Sequence, residues 1–257
     1  MGDTFYTLKL TESDELVIIT MNRPQVKNAI NLRMLDELGA ALHQVKSVPN
    51  TKALIITGGD SDYFSSGGDV KEFHQYQSQE EVSEILEKAN NILSQLEQFP
   101  LPTIAALNGN ALGGACELAL ACDFRIAHPQ IKLGFIQIIH HIMTSWGGGT
   151  RLIRLLGKDA LPLLLSGQLI PADEAQRLGL LDMLLPQDGF LEAVMAYARS
   201  MTVQQRESIL AYMKLYRTVQ RGEDYETCLQ VEREEATRLW IHPNHRMRIE
   251  AFLQKKL

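Results

Sequence analysis

The stretch Asn108-Gly-Asn-Ala-Leu-Gly-Gly-Ala-Cys-Glu117 sets a lone carboxylate three residues after paired glycines, with an apolar strand-like run before it and an apolar helix-like run after it. Glycine lets a backbone N–H approach a ligand with no Cβ in the way, and a helix that begins there adds unpaired N–H groups and a positive end. Such a turn is suited to hold a developing oxyanion. The carboxylate at 117, flanked by Ala115, Cys116, Leu118, Ala119 and Leu120, is expected to have its pKa raised by desolvation, toward useful acid/base range at neutral pH. Its competing role is that of a buried structural carboxylate paired with an arginine.

Outward from this stretch the same grammar repeats. Tyr6 to Leu10 and Leu16 to Met21 read as strands of a hairpin separated by the polar residues 11–15. Leu32, Leu35, Leu38, Leu42 and Val45 recur at helical spacing, and Ala53 to Thr57 is a short apolar strand before a loop holding Gly58, Gly59, Gly67 and Gly68. Val82 to Leu96 predicts a second helix, ended by Pro100 and Pro102, and Thr103 to Leu107 resumes strand character. Asp123 to Ala127 reads as another strand and Gly147 onward as another helix, so parallel strands joined by helices are expected. After Pro186 only amphipathic helical patterns remain. The expected division is a core domain over 1–186 and a helical region over 187–257.

Composition narrows the function classes. A chain of 257 residues, 45% hydrophobic and 22% charged, is an ordinary globular protein rather than a disordered or fibrous one. The net charge of -6 and the lack of a dense Lys/Arg run argue against a nucleic-acid partner, whose affinity rests on neutralising phosphates. Three cysteines form no disulfide framework and no Cys/His cluster stands at zinc spacing, so neither a metal site nor an oxidising compartment is expected. Acidic residues from Asp3 to Glu15 interrupt any signal peptide, and Asn108, glycines and Glu117 divide the most apolar run, so a cytoplasmic location without membrane insertion is expected.

Several segments taken together resemble the crotonase superfamily, the enoyl-CoA hydratase/isomerase group. They are Met21-Asn-Arg-Pro24, Tyr63-Phe-Ser-Ser-Gly-Gly-Asp69, the 108–117 stretch, Ala121-Cys-Asp123, Gly147-Gly-Gly-Thr-Arg-Leu152 and Ala251-Phe-Leu-Gln-Lys255. The resemblance covers nearly the whole chain. It implies an α/β superhelix of repeated ββα units with a helical C-terminal region that packs in oligomerisation, giving homotrimers or homohexamers. It also implies a coenzyme A thioester as ligand and no tightly bound cofactor. By the same resemblance Gly68 and Gly114 supply the two N–H groups that hold the thioester oxygen, and Glu117 falls on the first of the two glutamates of the hydratases. The set expected to bind substrate and coenzyme A comprises Arg23, Lys27, Ala29, Ser66, Asp69, Val70, His141, Trp146, Phe252 and Lys255, with Lys256 beside it.

The second glutamate is absent, and Gln137 occupies its position. An amide does not titrate, so hydration relying on two carboxylates loses half its machinery. Two reactions need only one ionisable group: decarboxylation of a malonyl-type thioester such as ethylmalonyl- or methylmalonyl-CoA, and double-bond isomerisation. Ser145-Trp-Gly-Gly148 is similar to a segment of ethylmalonyl-CoA decarboxylases of this superfamily, which places a decarboxylase first and an isomerase or weak hydratase second. A noncatalytic acyl-CoA-binding or assembly protein is the reading from a different class. His141 stands where relatives carry glycine. With His140 it is either a proton relay or, in the preferred reading, one of a pair of which one packs against Ile138, Ile139 and Ile142 while the other is solvated.

Overall fold

The computed structural model describes residues 5–254. Its chain opens with the expected hairpin, β1 (Leu8–Ser13) antiparallel to β2 (Leu16–Met21). The strand runs further than its apolar residues do: Thr11, Glu12 and Ser13 pair with Ile18, Val17 and Leu16, and the turn tightens onto Asp14, whose φ is 54°. From β2 the large sheet grows in parallel through β3 (Ala53–Thr57), β5 (Thr103–Leu107), β7 (Phe124–Ala127) and β10 (Met183–Leu184). A second sheet collects the short strands β4 (Tyr63–Ser65), β6 (Asn110–Leu112), β8 (Lys132–Gly134) and β9 (Ile170–Pro171). The rule of assembly is simple. Each repeat gives its first, apolar strand to the large sheet and its second, short strand to the small one, so β3/β4, β5/β6 and β7/β8 are successive pairs.

Helices cover the large sheet on both faces, which is why its central strands β3 and β5 are buried at every position and mostly apolar instead of alternating. On one face Leu16, Ile18, Ile55, Ile104, Ala106 and Ile126 pack against Phe190, Val194 and Ala198 of the late helix Phe190–Met201. On the other, Ile19 and Ile56 meet Met34, Leu35 and Leu38 of α1 (Leu32–Ser47) and Leu93 of α3 (Gln79–Glu97), the intervening α2 being the single turn Val70–Phe73. Asn31 caps α1 through Met34 N–H, and Ser78 with Glu81 forms a capping box on α3. The chain continues through α4 (Gly114–Leu120), α5 (Gly148–Leu156), α6 (Ala160–Ser166), α7 (Ala172–Arg177) and α8 (Phe190–Met201).

By its internal contacts the chain divides into two compact units after Met201, with α8 packed in the core of the large sheet. In the second unit α9 (Arg206–Gln220) packs along α10 (Tyr225–Trp240), joined by a turn in which Gly222 takes φ 76° and tied by Lys214 to Glu235 at 2.7 Å. The last helix, α11 (Pro243–Gln254), brings His245 onto the Trp240 ring at 5.0 Å between centroids. No helix among the described residues is long and apolar enough to cross a membrane.

Candidate active site

Strands β4, β6 and β8 lie side by side and parallel, so the residues just beyond their C-terminal ends converge. Those residues are Gly67-Gly68 after β4, Gly113-Gly114 after β6 and Gln137 after β8. Ligands in parallel α/β sheets gather at this end of the strands.

The first turn is fixed from beneath. Ser65 Oγ donates to Asn28 O and accepts from Gly67 N–H, while the fully buried Asn28 donates to Gly58 O and more weakly to Tyr63 O and Phe64 O. Ile30 bridges to Gly68 in parallel: Ile30 N–H donates to Gly67 O and Asp69 N–H donates to Ile30 O. The peptide groups on either side of Gly68 are thereby used, and the N–H of Gly68 itself points the other way. The second turn begins α4 with Gly113 at φ 54°, and Gly113 N–H donates to Gly134 O. The two turns touch, since a Cβ added at Gly67 would stand 2.5 Å from Leu112 O and 3.2 Å from the nitrogen of Gly114.

Glu117 lies on the first turn of α4, a helix buried along its whole length. Among the described residues no arginine is hydrogen-bonded or ion-paired to it. Instead the loop 145–148 folds over the carboxylate, and Trp146 N–H and Gly148 N–H each donate to Oε2 at 2.8 Å. Oε1 accepts from Gln137 Nε2 at 2.8 Å and, at 3.4 Å, from Ser145 N–H. Burial pushes the pKa of Glu117 up, and the hydrogen bonds from Gly148, Trp146, Ser145 and Gln137 pull it back only in part. The two oxygens therefore differ. Oε2 is filled by two short bonds, whereas Oε1 has room to take a proton.

Gln137 has only 8% of its surface exposed, and its Oε1 is buried with no hydrogen-bond partner among the described residues. The amide orientation follows from the carboxylate: an ionised Glu117 attracts the amide nitrogen and repels the oxygen. The site thus presents a carboxylate oxygen and a neutral acceptor oxygen together. Trp146 is buried, and its ring stands against Gly68 and Gly114. Its carbonyl accepts from Arg151 Nη1, and Arg151 is held by Glu97 at 2.8 Å.

A family model described as enoyl-CoA hydratase/isomerase matches residues 11–257. The chain belongs to the enoyl-CoA hydratase/isomerase family. A probable enoyl-CoA hydratase of Bacillus subtilis (strain 168) is 31% identical over 251 residues, which are 97% of this chain and 96% of that protein. The crystal structure of an enoyl-CoA hydratase from Bacillus anthracis is similar with a TM-score of 0.89, at 30% identity, covering 97% of each chain. DspI of Pseudomonas aeruginosa is similar with a TM-score of 0.90 at 26% identity, over 98% of this chain and 96% of its own. Membership in this family makes the chain an enzyme of acyl-CoA thioesters, a group that works without a tightly bound cofactor.

The remaining expected residues fall in different places. Arg23 is half-buried, with Nη1 on Ala29 O and on Asp69 Oδ2 at 2.9 Å, so it clamps the 23–29 loop to the Gly68 turn. Asp69 also caps α2, whose first residue, Val70, is exposed. Lys27 is exposed with its ammonium 4.8 Å from the Tyr63 ring centroid, and Ser66 N–H donates to Lys27 O. Phe252 is an exposed residue of α11, and Lys255 and Lys256 lie outside the described residues. Both histidines are exposed, and so are Ile138, Ile139 and Ile142, on which one imidazole was expected to pack. His141 has φ 58°, a left-handed helix end where glycine is the residue of least strain. Of the three cysteines, Cys116 and Cys122 are buried and Cys228 is half-buried. Burial raises the thiol of Cys116 to about 12, so it is inert packing. Asn28 and Phe73 carry no functional mark in the sequence because they support the turns, and Ser145, quoted there only as part of Ser145-Trp-Gly-Gly148, acts through its backbone N–H.

Proposed function

We propose that this enzyme reversibly adds water across the double bond of a 2-enoyl-CoA thioester, with Glu117 as its one ionisable proton carrier. The observation that carries the reading is Gln137: its nitrogen is spent on Glu117, and its buried oxygen still lacks a donor. An unpaired buried acceptor costs roughly 1–3 kcal/mol, which a water or a 3-hydroxyl group recovers by donating to it. In the forward direction Gly68 and Gly114 N–H groups receive the thioester oxygen. Water, held by Glu117 Oε1 and Gln137 Oε1, attacks Cβ as Glu117 removes its proton, and the electron pair of the double bond moves onto the thioester oxygen. Glu117 then returns the proton to Cα. One carboxylate serves both steps, and the atoms of one water are added in all.

The decarboxylase reading asks Gln137 to greet a substrate carboxylate. The atom suited to that, Nε2, is engaged by Glu117, and the free Oε1 repels an anion. The names of the similar proteins also point to hydration. Lys27 is assigned to the phosphates of coenzyme A, and self-association as a homotrimer or homohexamer is part of the same proposal, read by light scattering. The test is a panel of 2-enoyl-, 3-enoyl-, methylmalonyl- and ethylmalonyl-CoA followed by mass spectrometry. Gain of one water by the 2-enoyl thioester, lost in Glu117→Gln, is expected. Release of carbon dioxide from a malonyl-type thioester, an isobaric shift of the 3-enoyl thioester, or binding without turnover overturns it.

A further inference from the structure

The indole of Trp146 is where both glycine turns end. A Cβ placed on Gly114 would meet its Cζ3 at 2.4 Å and Cη2 at 2.8 Å, and one placed on Gly68 would meet Cζ2 at 3.6 Å. The same benzo edge therefore spans the α-carbons whose N–H groups are assigned to the thioester oxygen. Phe73 closes the wall: its ring stands edge-on to Trp146 at 6.2 Å and 87°, and its Cε2 would be 3.0 Å from the Gly68 Cβ. The indole has no easy retreat. Its own backbone is pinned on the N–H side by Glu117 and on the carbonyl side by Arg151, itself paired with Glu97, and the residue is only 4% exposed.

We propose that Trp146, backed by Phe73, is a rigid stop that sets acyl-chain length, so that the enzyme takes short acyl groups and turns away long ones. An acyl group whose carbonyl oxygen sits on Gly68 and Gly114 must start its chain against this ring, and a close-packed wall yields little to added methylenes. The assignment rests on the reading that those two N–H groups hold the thioester carbonyl.

The experiment measures affinity by calorimetry for acetyl-, butyryl- and octanoyl-CoA, saturated thioesters that cannot be hydrated, so the reaction type does not enter. Wild-type protein should bind butyryl-CoA more tightly than octanoyl-CoA by at least about tenfold, the discrimination a hydrophobic pocket achieves on chain size. Trp146→Ala should gain at least about tenfold for octanoyl-CoA, with butyryl-CoA changed far less. Trp146→Phe, which keeps an aromatic ring in place, should fall between them and covers the case in which the alanine variant does not fold. Equal or tighter binding of octanoyl-CoA by wild type, or one length profile shared by wild type and Trp146→Phe, overturns the stop. S-butyl-CoA, which lacks the carbonyl, checks the underlying reading separately: affinity equal to that of butyryl-CoA refutes the carbonyl contact, whatever the length profile.

Discussion

Gly148→Ala adds one methyl group at the tightest approach in the site. The new Cβ would stand 2.2 Å from Glu117 Cγ, 2.8 Å from its Cβ and 2.7 Å from Oε2. Carbon atoms rest at about 3.5–4.0 Å, so Glu117 or the 145–148 loop must give by roughly 1.3 Å or more. Neither yields freely, because Glu117 sits in a wholly buried helix and the loop is held through Trp146 O by Arg151. Displacement on this scale breaks the short bonds of Trp146 N–H and Gly148 N–H to Oε2 and moves Oε1 away from Gln137. A misplacement of about 1 Å costs on the order of 10²-fold in rate, and overpacking a close-packed interior costs about 1–3 kcal/mol of stability. The assay is kcat/KM for the thioester that the panel shows to be turned over, beside a thermal melt and calorimetric binding of butyryl-CoA. We expect kcat to fall at least about a hundredfold and Tm to drop by several degrees at about 2–4 °C per kcal/mol, with the protein still folded. A variant with wild-type kcat and an unshifted melt would refute both the placement of Glu117 and its role.

Glu117 also carries a pH signature. Its folded-state pKa is raised, so the acid limb of kcat/KM should lie above the ordinary glutamate range and vanish with the residual activity of Glu117→Gln. The stability linkage runs in the same window: a raised carboxyl stabilises the fold fully below its unfolded pKa and loses that contribution as pH rises through the folded value, so the Tm of Glu117→Gln relative to wild type should climb with pH across it. Gln137→Met removes the amide that meets Oε1, and hydration should fall at least about tenfold, which is the worth of one net hydrogen bond. Gln137→Glu puts a second carboxylate there and should move the acid limb further upward, as read from the pH–rate profile. Gly39→Ala, inside α1 with Ile92 at an ordinary 3.6 Å, should raise stability by about 0.5–1 kcal/mol in a denaturant melt without touching turnover.

Strands β2, β3, β5 and β7 and the long helices were legible in the sequence because their largely apolar residues fill windows of four or more positions, as in Ala53–Thr57 or α3, whereas the two-residue β10 was not. Strands β4, β6 and β8 were not, since three residues beside glycines carry no period, yet these strands bring the site together. The hairpin strand β1 runs on through Thr11 to Ser13 because a sheet edge tolerates polar side chains that pattern reading assigns to a turn. Within the site, Glu117, Gly68 and Gly114 announce themselves by residue type. Gln137 was visible as an amide in a carboxylate's place, but only three dimensions say which of its atoms is spent. The nest around Oε2 was invisible for a plainer reason: backbone N–H groups of Trp146 and Gly148 leave no mark in a sequence.

That nest explains how one carboxylate can be both fixed and reactive. A buried glutamate that shared its hydrogen bonds evenly would be either a structural cap or a free acid. Here the loop leading into α5 and the first residue of that helix hold Oε2 with two short bonds, which orients the group and supports its ionised form, while desolvation keeps the pKa above its usual value. Oε1 is left with one full bond, from a neutral amide that cannot compete for the proton. Protonation then has a preferred seat, on the oxygen beside Gln137. If Oε1 alone moves the proton, a substitution that disturbs Oε2 should cost orientation and stability together, and one that disturbs Oε1 should cost turnover with little loss of stability. Gly148→Ala and Gln137→Met separate these two cases, because the first displaces the whole carboxylate and strips both short bonds from Oε2, whereas the second removes only the bond to Oε1.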